Sequence, residues 1–381
     1  MIGKKILAFL RREAVLCCAA LLAVISMLIV PPSAVYGDYI DWPVLSLLLC
    51  LMLVVAGWRG LGLFQSLGAT LTAHVHSLRG LSLILVGLCF FTSMLITNDV
   101  SLITFVPFTI TIFVAAGLPG QLIPVVTLET VAANLGSMLM PIGNPQNLYL
   151  FSLGGWSVGG FILVMLPLTL LSLLAIGLMI WFRPNSQLER ASRVTDEAAI
   201  PSLAEIIKKW RFWLYLGLFL VCLCQVFHLL SYWMVFIIVL LAVICCQASL
   251  LKQADYSLLL TFICFFIFVG NIQQMTVVRE WLAQLISGRE LWLGIGASQV
   301  VSNVPAALLL SGFTENYHDL LWGVNIGGLG TLIASMASLI SYKYYANMPG
   351  ARPGRYLLVF SCYNLILLAL LCLEAWLLLS C

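Results

Sequence analysis

Two short polar interruptions break the apolar runs of this chain, and they hold the residues best suited to chemistry. Thr97-Asn98-Asp99-Val100 lies in the first half and Ser302-Asn303-Val304-Pro305 in the second. An ionisable side chain inside an apolar segment is costly and is a functional hypothesis by default, so Asp99 could bind a coupling cation or carry a proton. The competing interpretation is helix capping, since Asp and Asn side chains accept hydrogen bonds from free backbone amides. The two roles can coexist.

The second interruption reads equally well as a plain helix start. Pro305 suits the first turn of a helix, where no amide donor is needed. The functional interpretation is that the free amides and the dipole of that helix offer partial positive charge to an anion. Paired polar breaks at matching places in two halves of an apolar chain mark the central site of a transporter. The pairing therefore favours binding over capping.

Each interruption is followed by an apolar segment that a regular helix cannot fill. Pro141-Ile142-Gly143-Asn144-Pro145 puts two prolines and a glycine inside one span, which frees carbonyls and amides at mid-membrane depth. A packing kink is the simpler explanation, since Gly and Pro are common in membrane helices. The neighbouring Gln146 and Asn147 favour an unwound binding segment. Its counterpart, Ser335-Met336-Ala337-Ser338, is small and only weakly polar.

We predict that both interruptions and both broken helices converge on one site at mid-membrane. The candidate substrate-binding or ion-binding residues are Thr97, Asn98, Asp99, Ser137, Asn144, Pro145, Asn147, Ser302, Asn303, Val304, Thr331 and Ser338. Glu129, in the first broken span, either faces the interior or forms an inter-helix hydrogen bond. The sequence shows no Ser/His/Asp order, phosphate loop or metal-ligand spacing. We therefore expect no catalytic residue, no metal and no cofactor other than a coupling proton or sodium ion.

Composition identifies a membrane protein. Of the 381 residues, 62% are hydrophobic and 9% are charged, against about 25% charged in soluble proteins. The apolar segments match the roughly 20 residues that a helix needs to cross hydrocarbon, and they lack the alternation of a β-barrel. All 12 cysteines lie in or beside apolar segments and are expected to be small buried hydrophobes. The net charge of +3 is explained by topology and does not indicate a nucleic-acid partner.

The distribution of basic residues predicts a topology. With a cytoplasmic N-terminus, all of the 18 Lys and Arg residues except Arg279 and Arg289 fall on the cytoplasmic side. The C-terminus is then outside. The predicted spans are 14–31, 43–57, 121–152, 158–182, 212–230, 232–247, 257–271, 319–345 and 355–379.

The segments around the interruptions are predicted to be re-entrant hairpins. After Pro305 about eight apolar residues remain before the polar stretch 314–318, and these rise only about 12 Å against a core of about 30 Å. This segment must enter the membrane and return to the same side, with its tip buried in protein. By analogy residues 81–116 form the other hairpin, although two full spans remain an alternative.

These features predict an all-α polytopic membrane protein with two inverted repeats and about 9–11 spans. Each repeat contains a hairpin and a broken helix. The predicted divisions are 1–182 for the first repeat, 183–211 for a cytoplasmic linker, 212–230 for an inter-repeat span and 231–381 for the second repeat. In the linker, Pro201-Ser202-Leu203-Ala204-Glu205 is typical of a helix start.

These motifs resemble the ion transporter superfamily of arsenite permeases, citrate and dicarboxylate carriers and certain sodium/proton antiporters. Residues 96–100 with Val106-Pro107 resemble the first hairpin of the arsenite permease branch. Residues 134–148 resemble its Gly-Thr-Ala-Thr and Gly-Asp-Pro-Pro-Asn helix, and 302–306 with 327–338 resemble the second-half equivalents. The resemblance covers nearly the whole chain and is greatest to uncharacterised transporters of the bacterial inner (plasma) membrane.

The resemblance implies a homodimer in which a moving part, carrying both hairpin tips, slides against a scaffold in an elevator-like cycle. Two positions depart from the family pattern. Asn144 stands where the related pattern has Asp, and Val304 stands where sodium-coupled dicarboxylate carriers have Thr. Neither a sodium site nor a named substrate is therefore carried over from the family.

The function that we expect is secondary-active transport of a small inorganic or organic anion, driven by a proton or sodium gradient. A cation/proton antiporter is the alternative, since Asp99 could bind the cation and the sequence places no Arg or Lys near either tip. A membrane-embedded enzyme acting on lipid-linked substrates is disfavoured because no large polar loop with acid and base groups is present.

The topology can be tested by labelling. On a cysteine-free background, single cysteines introduced within 183–211 and at Glu315 should react with an impermeant thiol reagent from opposite faces of the membrane, because the charge bias places the two segments on opposite sides. Labelling of both from the same face would contradict the inverted-repeat arrangement.

Overall fold

The computed structural model describes residues 13–73, 75–187 and 201–380. These ranges are almost entirely helical and contain no β-strand, only an isolated bridge between Ser77 and Gln187. The all-α prediction is confirmed. Within the described ranges, seven helices are long and apolar enough to cross a membrane, namely Trp42–Gly60, Leu78–Ile96, Asn98–Ala115, Val158–Trp181, Tyr232–Gln253, Tyr256–Gln274 and Pro353–Ser380. Of these, Tyr232–Gln253 is an α-helix to Gln247 that continues as a 3₁₀ segment over Ala248–Gln253.

Helices α1 to α9 form the first half of the molecule. They are α1 Ala14–Ile29, α2 Tyr36–Tyr39, α3 Trp42–Gly60, α4 Leu63–Thr72, α5 Leu78–Ile96, α6 Asn98–Ala115, α7 Leu122–Ser137, α8 Pro145–Gly154 and α9 Val158–Trp181. Short 3₁₀ turns at Pro119–Gln121 and Pro141–Gly143 precede α7 and α8.

Helices α10 to α19 follow in the second half. They are α10 Leu203–Lys208, α11 Trp210–Val226, α12 Tyr232–Gln247, α13 Tyr256–Gln274, α14 Thr276–Ile286, α15 Glu290–Val301, α16 Asn303–Ser311, α17 Tyr317–Ile326, α18 Met336–Ala346 and α19 Pro353–Ser380. From α3 to α9 and from α13 to α19 the order of elements is the same.

The corresponding helices begin in the same way. Asp41 caps α3 by accepting a hydrogen bond from the amide of Val44, and Asp255 caps α13 by accepting one from the amide of Leu258, both at 3.0 Å. In the linker, Ser202 and Glu205 form a capping box at the start of α10, which confirms the predicted helix start. Residues 188–200 of the linker lie outside the described residues.

Both predicted broken spans are broken, although the second break differs from the prediction. The first falls between α7 and α8, at the Pro141–Gly143 turn. The second covers 327–335 and ends where α18 begins at Met336, so Ser338 lies in the first helical turn and not in the break. The break lies earlier because the glycines of 327–330 unwind the chain, and Gly330 takes a positive φ of 106°.

The two hairpins turn with nearly the same backbone geometry. Thr97, between α5 and α6, has φ 72° and ψ 151°, and Ser302, between α15 and α16, has φ 77° and ψ 154°. The arms of the second hairpin have 12 and 9 residues and rise only about 18 and 14 Å, which fits a re-entrant segment. The arms of the first have 19 and 18 residues, so hairpin and two full spans both remain predictions.

The two halves exchange their outer helices. Helix α1 packs on α13, and α12 packs on α3. Asn271 of α13 donates hydrogen bonds to Ser26 of α1 and to the hydroxyl of Tyr36, both at 2.9 Å. Each half therefore supplies part of the packing surface of the other.

A close approach between each broken helix and its hairpin recurs in both halves. A Cβ on Gly136 of α7 would lie 2.1 Å from the carbonyl oxygen of Phe90 and 2.8 Å from Ser93 Oγ. A Cβ on Gly327 would lie 2.8 Å from Ser298 Oγ. Ser93 and Ser298 each stand one helical turn before the hairpin tip. Glycine is therefore required at both crossings, because a methyl group would push the hairpin away.

Replacing Gly136 tests this contact. Gly136→Ala should lower the melting temperature of the purified protein, because backbone atoms of α5 cannot yield, and overpacking costs about 1–3 kcal/mol. Gly87→Ala, on α5, is the matched control, because a Cβ at that position would meet nothing within 4 Å. Equal melting temperatures of the two variants would contradict the close approach.

Candidate functional site

Four helices begin at one point in the interior. A cavity of about 10 Å³ lies between the two hairpin tips, which is room for about one water molecule. The first residues of the four helices border it, and they are Asn98 of α6, Pro145 of α8, Asn303 of α16 and Met336 of α18. The tips and the ends of both breaks therefore converge, as the sequence predicts, through residues from both halves.

Each tip is fastened by its own asparagine. Asn98 Oδ1 accepts a hydrogen bond from the amide of Asp99, and Asn303 Oδ1 accepts one from the amide of Val304, each at 2.9 Å. The positive φ of Thr97 and Ser302 is rare for residues with a Cβ and costs about 1–3 kcal/mol each. Strain of this kind is concentrated at functional sites, so the paired outliers support a functional role for the tips.

Two further asparagines connect the halves. Asn134 Oδ1, on α7, accepts hydrogen bonds from Asn98 Nδ2 at 3.0 Å and from Ser335 Oγ at 2.9 Å. The Nδ2 of Asn134 is buried and, in the described residues, has no partner. The cluster therefore holds an unused hydrogen-bond donor next to the tips.

Asn325, on α17, connects the second half to the first break. It donates from Nδ2 to Asn147 Oδ1 at 2.7 Å and accepts at Oδ1 from Asn144 Nδ2 at 3.2 Å. Asn134 and Asn325 were not among the candidates predicted from the sequence. Both asparagines belong to a pattern that the two broken helices share, Asn134-Leu135-Gly136 and Asn325-Ile326-Gly327. The pattern becomes visible in the sequence only when the two segments are aligned with each other.

Gln299 of α15 holds the second break. Its Nε2 donates to the carbonyl oxygens of Gly327 at 2.8 Å and Leu329 at 2.9 Å, and its Oε1 accepts from the amide of Thr331 at 2.9 Å. The predicted ligand Thr331 also donates from Oγ1 to the carbonyl of Gln299 at 3.0 Å and does not border the tip cavity. Gln299 gave no signal in the sequence, because it lies in a regular helical segment.

The structure separates the predicted site residues into two groups. Those bordering the tip cavity or the adjoining cleft are Thr97, Asn98, Asp99, Pro145, Asn303 and Val304. Those that border neither are Ser137, Asn144, Asn147, Ser302, Thr331 and Ser338. Asn144 caps α8 and donates to Ser137 Oγ, whereas the buried Oγ of Ser338 has no partner within the described ranges.

Asp99 is not the cap of its helix. Thr97 stands at the N-cap position, where no side chain caps the helix, and the half-buried Asp99 carboxylate accepts no hydrogen bond from any residue the structure describes. It borders both the tip cavity and a cleft of about 130 Å³. The cleft extends to the exposed residues Gln253 and Asp255. An unpaired carboxylate thus lies between the tips and the surface.

The expectation that no Arg or Lys lies near either tip is wrong for the first tip. Arg59, at the end of α3, borders the same cleft as Asp99 and donates from Nη2 to Gln253 Oε1 at 3.3 Å. The sequence could not show this, because α3 is separated from the tip by two helices along the chain and approaches it only in the folded protein.

Comparison with known proteins agrees with this architecture. Residues 1–319 match the family described as citrate transporter. An inner membrane protein of Escherichia coli is 33% identical over 308 residues, covering 80% of each chain. An uncharacterised transporter of Methanocaldococcus jannaschii is 35% identical over 276 residues, covering 72% of this chain and 73% of the relative.

A more distant relative is plant-derived. The silicon efflux transporter of rice is 30% identical over 176 residues, covering 45% of this chain and 35% of the relative.

The family match covers both hairpin tips and the whole first broken helix, so the predicted resemblance to the ion transporter superfamily is confirmed. The chain therefore belongs to the citrate transporter family and is a multi-pass membrane transporter.

Proposed function

We propose that this protein is a secondary-active transporter of a small inorganic or organic anion, coupled to a proton or sodium gradient. It works in a bacterial inner membrane as a homodimer, by an elevator-like displacement of the part that carries both tips. Its N-terminus is cytoplasmic and its C-terminus is outside, and it is not an enzyme.

The convergence of four helix N-termini on one cavity is the observation that carries the anion proposal. Each helix N-terminus carries roughly half a positive charge from the helix dipole. Four of them border a cavity between Asn98, Pro145, Asn303 and Met336. The unpartnered Nδ2 of Asn134 adds a buried donor behind the tips. Such an arrangement suits an anion.

The dimensions of the site favour a small anion. The family is described as citrate transporter, but the tip cavity has only about 10 Å³. The neighbouring cleft of about 130 Å³ is lined in part by α3 side chains such as Leu48, Leu51 and Val55, with Arg59 as its cation. A compact anion could pass from Arg59 to the helix N-termini and be held there by backbone groups.

The packing differs between the two sides of the site, which supports a transport cycle with alternating access. On the side of Arg59 the cleft is open to Asp99. On the corresponding side of α13, Phe262 and Phe266 pack against Tyr149. There Gln273 Nε2 also donates to the carbonyl of Gly312 at 2.7 Å. This difference in packing supports a carrier whose site opens to one side at a time, and the charge bias assigns the Arg59 side to the cytoplasm.

A cation/proton antiporter is the second candidate. Asp99 and Asp255 border the same cleft, and the Asp99 carboxylate is unpaired in the described structure. A thermal-shift screen of the purified protein separates the two. Stabilisation by citrate, dicarboxylates or inorganic oxyanions supports the anion carrier. Stabilisation by a metal cation alone, with no anion effect, supports the antiporter.

Substitution at the tips tests the shared site. Asn98→Leu and Asn303→Leu should each weaken binding of the anion found in the screen by at least about tenfold, because each removes a tip-fastening side chain from the same cavity. The matched control is Asn364→Leu, a fully buried asparagine on α19 that donates only to Phe360 in its own helix. Wild-type affinity in both tip variants would exclude a central site at the tips.

Asp99 can be tested as the coupling group. Asp99→Asn should abolish gradient-driven uptake of that anion into proteoliposomes while the protein stays folded, because the amide keeps the shape and cannot carry a proton or a cation's charge. Asp38→Asn, at an exposed carboxylate in α2, is the matched control and should transport normally. Uptake with unchanged pH dependence in Asp99→Asn would remove Asp99 from the coupling step.

A further inference from the structure

One buried side chain at the tip cavity forms no hydrogen bond within the protein. Gln146 is the second residue of α8, and only 2% of its surface is exposed. It borders the cavity between the two hairpin tips. Its Oε1 is buried without a partner, and its Nε2 forms no hydrogen bond with any residue that the structure describes. Buried polar groups are nearly always paired, so this amide requires an explanation.

Most of the other polar atoms at this cavity are already bonded within the protein. Asn98 uses both of its polar atoms, Oδ1 at a backbone amide and Nδ2 at Asn134. Ser335 Oγ also donates to Asn134. Asn303 accepts from a backbone amide at Oδ1, whereas its Nδ2 has no partner in the described ranges. The side chains that border the cavity and keep unused polar atoms are Asp99, Gln146 and Asn303.

The internal repeat shows that the fold does not need an amide at this position. Helix α8 begins at Pro145 and α18 begins at Met336, so the counterpart of Gln146 is Ala337. Ala337 is fully buried. The same helix start therefore packs with a methyl group in one half and with an amide in the other. A purely structural role for the amide is disfavoured.

A second difference between the halves lies at the same cavity. The residue after the tip asparagine is Asp99 in the first half and Val304 in the second, and both border the cavity. The asparagines that fasten the tips, by contrast, are the same in both halves. The polar groups that depart from the repeat, the carboxylate and the unused amide of Gln146, therefore both come from the first half.

These groups define the chemistry that a ligand must have. A glutamine amide offers an acceptor oxygen and two donor hydrogens, and it does not ionise, so its requirement is the same at every pH. The oxygen of Gln146 needs a donor, whereas the Nδ2 of Asn303 and the positive ends of the four helices favour an acceptor or an anionic oxygen. A fully deprotonated anion lacks the donor. An anion that keeps an O–H group supplies both.

The space at the tips suits one oxygen of such an anion. The cavity of about 10 Å³ has room for about one water molecule, and hence for one hydroxyl group of a ligand. It shares Asp99, Pro145 and Leu258 with the cleft that Arg59 borders. The remaining atoms of the ligand could therefore lie in the cleft, on the side where the protein supplies a cation.

We propose that Gln146 is a ligand-binding residue of the tip cavity and selects a compact oxyanion that carries an O–H group. This inference rests on the anion transport proposed above and narrows its substrate class. The O–H of the ligand donates to Gln146 Oε1, and an oxygen of the same ligand accepts from the donors of the cavity. No covalent bond is made or broken.

Two pairs of anions test the preference on the unmodified protein. In mildly alkaline buffer, hydrogen carbonate and nitrate are planar anions of equal charge, and hydrogen phosphate and sulfate are tetrahedral anions of equal charge. Only the first anion of each pair carries an O–H. In calorimetric titrations of the purified protein, the first anion of at least one pair should bind at least about tenfold more tightly than the second, because the second leaves a buried acceptor unpaired.

A substitution at Gln146 tests whether this amide is the cause. Gln146→Met keeps the approximate volume and removes the acceptor and the donors, so it should reduce the preference to less than about twofold. Gln225→Met is the matched control and should keep the preference. Gln225 is also buried, and its Oε1 is also unpartnered in the described structure, but it borders a different cavity. The wild-type comparison remains decisive if Gln146→Met does not fold.

Several results would overturn the inference. They are equal binding within both pairs, tighter binding of nitrate or sulfate, binding of none of the four anions, and a preference that Gln146→Met retains or that Gln225→Met also removes. The anion carrier still stands in these cases if the wider screen finds an anion whose binding is weakened by Asn98→Leu and Asn303→Leu. Stabilisation by metal cations alone would instead contradict the anion carrier, so the two failures are distinguishable.

Discussion

Backbone groups released in the middle of a membrane must find partners inside the protein, because hydrocarbon offers none. Two broken helices release such groups here, and a small set of asparagine and glutamine side chains bonds to them. Asn147 donates to three carbonyls of the first break, at Ser137, Met138 and Met140. Gln299 holds the second break. The architecture depends on these amides, since without them neither break could stay unwound.

The partners of each break come partly from the other half of the molecule. Asn325 of the second half bonds to Asn144 and Asn147 of the first break, and Asn134 of the first half bonds to Ser335 at the end of the second. This reciprocal arrangement makes the central cluster a single unit. A shift of one half against the other at this cluster would break the hydrogen bonds that each break receives from the opposite half.

The sequence was sufficient for the features that rest on local chemistry. Proline and glycine spacing identified the first break, the polar interruptions identified both tips, and composition gave the all-helical class. What could not be predicted depends on contacts between distant segments. Arg59 reaches the cleft of Asp99 only through the packing of α3, and Asn325 is an ordinary helical residue until the break of the other half lies beside it. The second break was misplaced because three glycines, rather than polar residues, unwind it.

The exchange of outer helices has a consequence for biogenesis. Helix α1 is synthesised well before α13, the helix against which it packs. Until then the face of α1 that carries Ser26 is in contact with lipid or with the insertion machinery, and its hydrogen bond to Asn271 cannot form. Assembly of the first half is therefore completed only after the second has been inserted, and a chain that stops in the linker would be left with an unfinished surface inside the bilayer.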